Sequence, residues 1–191
     1  NPNPRLIRQA AAVLREGGIV VYPTDSCYAL GCHLDDKDAV ARIRQIRKLD
    51  EHHHMTLMCR DLSEISRYAR VDNAKFRVLK SNTPGNYTFI LEATKEVPKR
   101  LQHPRRSTIG MRIPDHPVAL ALLEELGEPL LSTTLILPDE EGPLNDAAHI
   151  RELLEKQVEL VIDGGAVGVD FTTVIDLTGD APVLVRRGKG D

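Results

Sequence analysis

The sequence predicts an α/β protein with a mixed sheet flanked by helices. Three observations lead there. Segments with apolar residues at helical spacing alternate with short β-rich runs through most of the chain. The last two runs flank a Gly179-Asp180 turn, so at least one strand pair is antiparallel and the sheet is mixed. The 191 residues are 41% hydrophobic and 28% charged, a globular balance that suits one domain over residues 1–191.

Pro4 to Glu16 carries Leu6, Ile7, Ala10, Val13 and Leu14 on one helical stripe, and Gly17-Gly18 ends it. Ile19 to Tyr22 is a fully apolar run that reads as a buried strand stopped by Pro23. Asp38 is placed to cap a helix reaching about Lys48, with Val40, Ile43 and Ile46 inward. A strand follows at Met55–Cys59 and a helix at Asp72–Ser81. Thr83-Pro-Gly-Asn86 is a turn leading into a strand at Tyr87–Leu91, and Thr108–Ile113 is another strand. Asp115-His116-Pro117 opens a helix to Leu126, with proline where its missing N–H costs nothing. Strands are expected at Leu130–Thr134, Glu159–Ile162, Thr173–Leu177 and Val183–Arg186, and a helix at Asp146–Gln157.

Several function classes are poorly supplied. Aromatics are 4% of the chain and Trp is absent, which disfavours a surface that stacks many bases. Cys27, Cys32 and Cys59 lack metal-ligand spacing and read as reduced thiols of a cytosolic protein. No apolar run reaches 18 residues and no signal-peptide pattern is present; opening on Asn1 rather than Met points to a start further upstream. The phosphate-binding loop G-x-x-x-x-G-K-[ST], the dinucleotide fingerprint G-x-G-x-x-G and the elbow G-x-S-x-G are all missing.

Charge is uneven behind a net value of −3. Residues 95–112 hold six bases (Lys95, Lys99, Arg100, Arg105, Arg106, Arg112) against Glu96, whereas residues 115–163 hold twelve acids against Arg151 and Lys156. A basic zone on an acidic body suits an anionic ligand, although a solvated charged face explains the same pattern. Gly164-Gly165-Ala-Val-Gly168 follows a strand and reads either as an anion-binding nest or as a turn. His52-His53-His54 reads as a loop, because adjacent side chains diverge and seldom meet on one metal ion. In Tyr22-Pro-Thr-Asp-Ser-Cys-Tyr-Ala-Leu-Gly31 a buried strand gives way to small hydroxyls, and ligands of open sheets gather at such strand ends. Thr24, Ser26 and Tyr28 are the candidate hydrogen-bonding groups there.

That last segment resembles the opening motif Y-P-T-[DE]-x-x-Y-G-L-G of the YrdC-like threonylcarbamoyl-adenylate synthases, with Ala29 for the first motif glycine. The likeness recurs at Pro84-Gly-Asn-Tyr-Thr88, at Gly110-Met-Arg-Ile-Pro-Asp-His-Pro117 and at Pro129-Leu-Leu-Ser-Thr-Thr134. It closes at Asp163-Gly-Gly165, Thr172-Thr-Val174 and Arg187-Gly188. The resemblance implies a twisted sheet around a concave basic cavity. It also implies ATP or AMP binding, Mg²⁺ with ATP, and L-threonine and bicarbonate as co-substrates in a step that serves tRNA modification. By the same resemblance Arg47, Lys48, Arg112 and Thr134 would be catalytic. Ser132, Thr134, Thr172, Thr173 and Arg187 would hold nucleotide, and Thr24 and Tyr28 would shape the threonine pocket. Apart from the resemblance, the basic run Lys95, Lys99, Arg100, Arg105 and Arg106 with few aromatics suits contact with RNA, double-stranded RNA or tRNA included, without base preference.

Two positions depart from the family pattern. Its K-x-R falls on Arg47-Lys48-Leu49 and its S-x-N on Thr134-Leu135-Ile136. Neither leucine nor isoleucine can hydrogen-bond a triphosphate through its side chain. These losses resemble the YciO branch. They leave a weak or specialised synthase, or a binding module without catalysis, as the two expectations.

Overall fold

The computed structural model describes residues 2–49, 53–138 and 142–190. The chain opens with helix α1 (Pro4–Arg15), whose N-terminal amides at Arg5 and Leu6 are capped by the Asn3 side chain. Strand β1 (Val20–Pro23) follows. Pro23 ends that strand as expected, but the chain then folds back immediately into β2 (Tyr28–His33), pairing Pro23 with Tyr28. The turn between them is locked by Thr24, whose amide and hydroxyl both donate to the Cys27 carbonyl at 3.1 and 2.6 Å. The motif expected as a ligand loop is therefore a hairpin with a polar tip.

Helix α2 (Lys37–Arg47) is capped by Asp36, not Asp38; the Asp36 carboxylate accepts from the Ala39 amide at 2.9 Å. Strand β3 (Thr56–Met58) precedes an unanticipated helix, α3 (Leu62–Tyr68), which is seven residues long and capped by Asp61. Helix α4 (Asn73–Asn82) and strands β4 (Tyr87–Glu92) and β5 (Thr108–Arg112) match their expected positions closely. So do α5 (Pro117–Leu126) and β6 (Leu130–Thr134). Helix α6 (Ala147–Leu154) stops three residues before the expected Gln157. The chain closes with β7 (Leu160–Val161) and the hairpin β8 (Thr173–Asp176) and β9 (Val183–Arg186).

The strands form one nine-stranded sheet in the order β7-β1-β2-β6-β3-β5-β4-β8-β9. It is mixed: β1–β7, β3–β5 and β4–β8 are parallel, and the other pairs are antiparallel. One face packs a continuous core against α2, α3, α4 and α6, using Leu30, Leu57, Phe89, Ile109, Met111 and Leu131 from the strands. The opposite face is covered only at one end, where α1 and α5 lay Ala10, Leu14, Leu122 and Leu123 over Val20, Tyr22, Ala29 and Leu130. Each fully buried aliphatic side chain there stabilises by about 1.5–3 kcal/mol. Among the described residues no helix covers the remainder of that face, and this is where the site lies. Among the described residues no helix is long and apolar enough to cross a membrane. The three cysteines are free and buried.

Candidate functional site

Side chains alternate across a strand, so every second residue of the central strands points away from the main core. On the uncovered part of the sheet those residues are Ser132 and Thr134 of β6 and Thr56 of β3, with Ala29 of β2 and Met58 of β3 at its border with the helix-covered end. Gly110 and Arg112 of β5, Thr88 and Ile90 of β4, and Val174 of β8 continue the same surface. Small and hydroxyl side chains leave a hollow where large apolar ones would have demanded a helix. The result is a cavity of about 520 Å³. Gly110 forms part of its floor; a Cβ there would stand 2.8 Å from Thr56 Oγ1. The walls come from the β1–β2 turn (Thr24, Ser26, Cys27), the end of α2 (Arg47), and the closing hairpin (Val185, Arg186).

Three arginines face this space. Arg112 is only 4% exposed. It bonds Asp25 through Nη2, Ser26 Oγ through Nη1 at 3.0 Å, and the Gly85 carbonyl through Nε at 3.4 Å. Arg47 donates from Nε to the Ile136 carbonyl at 3.3 Å, which leads its guanidinium from the end of α2 to the cavity wall. Arg186 lies over the Phe171 ring at 4.9 Å and donates to the Thr172 carbonyl at 2.8 Å. Burial pulls the acidity constants of both Arg47 and Arg186 down from the usual arginine range, but guanidinium stays protonated. No carboxylate is among the described lining residues, and one of the three arginines, Arg112, is paired with Asp25.

The hydroxyls are already oriented. Ser132 shares a 2.6 Å bond with Tyr22, whose phenol burial keeps protonated. Thr88 of β4 and Thr172, the residue before β8, share one of 2.8 Å. Tyr28 accepts from the Gly164 amide at 3.0 Å and donates to the Gly165 carbonyl at 2.7 Å. It thereby fastens the glycine-rich loop beside the cavity; the Gly165 amide in turn bonds the Asp163 carboxylate at 2.8 Å, as in a turn. His54 also lines the cavity, bonded to Thr108 Oγ1 at 2.8 Å and stacked on His103 at 4.8 Å. Burial, then the neighbouring His103 and Arg106, lower its pKa. Among the described residues no group of three His, Cys, Asp or Glu is placed to hold a metal ion, and His52 lies outside them.

The structure brings together Thr24, Tyr28, Arg47, Arg112, Ser132, Thr134 and Thr172. Three of the cavity candidates fall outside its lining. Lys48 caps α2 in the left-handed conformation and is exposed, so Arg47 alone brings that segment's charge to the cavity wall. Thr173 is turned off the cavity by strand alternation; its hydroxyl donates to the Gly190 carbonyl at 2.9 Å. Arg187 is exposed, and the neighbouring Arg186 occupies the wall instead. Leu49 packs against the main core, whereas Ile136 does line the cavity. Lys95, Lys99, Arg100, Arg105 and Arg106 are exposed outside it, with Arg100 bonded to the Asp35 carbonyl at 2.9 Å and Arg106 to Asp176 at 2.7 Å. The sequence reading missed Arg186, Thr56, Thr88, Gly110 and Phe171 as lining residues; the every-second-residue pattern of β3, β4 and β5 was the signal available for three of them.

A family model for Sua5, YciO and YrdC sequences, described as telomere recombination, matches residues 12–188. The chain belongs to this family. It is similar to the YciO protein of Escherichia coli, at 60% identity over 191 residues covering all of this chain and 93% of that protein. The crystal structure of E. coli YciO superposes with a TM-score of 0.96. It is also similar to the threonylcarbamoyl-AMP synthase of Bacillus subtilis, at 31% identity over 188 residues, 97% of this chain and 54% of that protein. A crystal structure of Pyrococcus abyssi Sua5 complexed with L-threonine gives a TM-score of 0.89 at 29% identity, covering 97% of this chain and 55% of that one. The family thus joins a twisted mixed sheet to relatives that are threonylcarbamoyl-AMP synthases, and this chain spans about half the length of those two synthases.

Proposed function

We propose that the cavity binds an adenine nucleotide and supports a weak or specialised form of threonylcarbamoyl-adenylate synthesis. The observation that carries this reading is the convergence of Arg47, Arg112 and Arg186 on one hollow lined with hydroxyls. In such a reaction the threonine amine captures bicarbonate as a carbamate with loss of water. The carbamate oxygen then attacks the α-phosphorus of ATP, the bond to the β-phosphate breaks, and pyrophosphate leaves. Two anions must meet, so fixed cations and hydroxyl dipoles have to offset their repulsion in place. Ser132, Thr134 and Thr172 supply hydroxyls beside the nucleotide, and Thr24 and Tyr28 bound the threonine end. Mg²⁺ would arrive with the nucleotide, as the Mg²⁺–ATP substrate.

The test is to incubate the protein with Mg²⁺–ATP, L-threonine and bicarbonate and to measure pyrophosphate together with threonylcarbamoyl-adenylate. Slow product formation is expected. Arg186→Ala should weaken ATP binding roughly 10- to 150-fold, the worth of a charge-assisted hydrogen bond of about 1.5–3 kcal/mol. Calorimetric titration reads this directly, and unchanged affinity would move the nucleotide away from the cavity.

A second reading, RNA binding, is favoured by Lys95, Lys99 and Arg105, which are exposed on one segment between β4 and β5. Three phosphate contacts would make affinity fall about 40-fold between about 50 and 200 mM salt. A salt-independent constant, or one untouched by Lys99→Ala with Arg105→Ala, removes this reading.

A further inference from the structure

Asp25 has no part in the reading above, yet it controls the most buried cation of the cavity. Its side chain is 11% exposed, and Oδ1 bonds Arg112 Nη2. Its other oxygen, Oδ2, is buried with no hydrogen-bond partner among the described residues. The carboxylate cannot swing clear easily. The flanking turn is held by Thr24 Oγ1, which accepts from the Ser26 and Cys27 amides, both at 3.1 Å, and the Asp25 carbonyl accepts from Lys189 Nζ at 2.8 Å. The pair therefore presents a neutral unit to the cavity where a bare arginine would present a full charge.

We propose that Asp25 is a specificity-determining residue: a built-in counter-anion that weakens binding of highly charged ligands at Arg112. This rests on the nucleotide reading of the same site and deepens it. A phosphate that approaches Arg112 also approaches the Asp25 carboxylate, and the repulsion grows with the charge the ligand carries. An ester with one phosphate is penalised least, and a triphosphate or pyrophosphate most. The cavity thus discriminates by charge even though its wall is cationic, and it releases pyrophosphate more readily than three arginines alone would allow. An unquenched Oδ2 strengthens the effect, because no hydrogen bond from the described residues spreads that oxygen's charge.

The experiment is a titration of the wild type and of Asp25→Asn with pyrophosphate, ATP and AMP, by calorimetry at fixed salt. Asp25→Asn should bind pyrophosphate and ATP about 10- to 100-fold more tightly, and AMP with a smaller gain. Adding Arg112→Ala should abolish the gain, because the two side chains act as one unit. Equal gains for AMP and pyrophosphate, or a gain that persists without Arg112, would overturn the proposal. So would a wild type that binds these ligands while Asp25→Asn binds them no more tightly, a result that leaves the nucleotide reading standing. If neither protein binds any of the three, the nucleotide reading falls and this inference falls with it. Should Asp25→Asn not fold, Asp25→Ser is titrated instead, since it is equally neutral and smaller.

Discussion

Arg112→Ala is expected to lower folding stability by about 3–5 kcal/mol, a larger loss than that of any exposed arginine in the chain. The reason lies in what remains behind. Arg112 is 4% exposed and bonds Asp25, Ser26 and the Gly85 carbonyl. Truncation leaves a carboxylate buried with neither oxygen bonded to a cation, and two further acceptors lose their donor. An exposed pair such as Arg70 with Glu92, at 65% and 56% side-chain exposure, sets the contrast, because solvent screens it and its loss costs at most about 1 kcal/mol. Urea unfolding of Arg112→Ala and Arg70→Ala measures the difference. The double variant Asp25→Asn with Arg112→Met should recover much of the loss, since it removes both charges together. A single variant as stable as the wild type would mean that the Asp25–Arg112 contact contributes nothing to the fold. Any binding measurement on Arg112 variants must therefore be made on protein shown to be folded.

Much of this arrangement was legible in the sequence, and the reasons differ by element. Helices α1 and α5 announce themselves because a stripe of apolar residues, a capping side chain and a terminal glycine agree with one another. Strand β2 was hidden because Tyr28–His33 contains Ala29 and Gly31, which lack strand propensity. Both are small for a physical reason: Ala29 borders the hollow, and a Cβ on Gly31 would meet the Tyr22 ring at 2.8 Å. Helix α3 escaped because seven residues give too few turns for periodicity to show, although Asp61 and Glu64 are capping residues at the right spacing. At the site, Arg112, Ser132 and Thr134, which the motif resemblance pointed to as catalytic or nucleotide-holding, line the cavity. The resemblance pointed to Arg187 as a nucleotide contact, whereas its neighbour Arg186, the last residue of β9, lines the wall, since successive side chains on a strand point to opposite faces. The closing hairpin also carries a register shift between Val174 and Ile175, which no reading of spacing would reveal.

The two departures from the family pattern are expected to behave differently, although the sequence presents them as a matched pair. Ile136 lines the cavity, and its carbonyl accepts from Arg47 Nε at 3.3 Å. Ile136→Asn would place an amide beside the hollow without disturbing that backbone contact. The position is only half-buried, so an unpaired amide could still meet water in the empty state. One well-placed donor acting in the transition state is worth about 10²–10³ in rate, and threonylcarbamoyl-adenylate formation should rise toward that range. Leu49 is a different case. It packs against the core that α2 shares with the sheet, and its amide bonds the Arg44 carbonyl at 2.9 Å to close the helix end. Leu49→Arg would exchange an apolar contact for a charge that must leave the core to be solvated. It should cost about 1–3 kcal/mol of stability and add little activity. The measurement is product formation by Ile136→Asn, Leu49→Arg and the double variant, each with its urea midpoint. A stable Ile136→Asn no faster than the parent would show that the amide lost at this position is not what limits the reaction. A stable and faster Leu49→Arg would show instead that the end of α2 can rearrange to carry a second cation to the nucleotide beside Arg47.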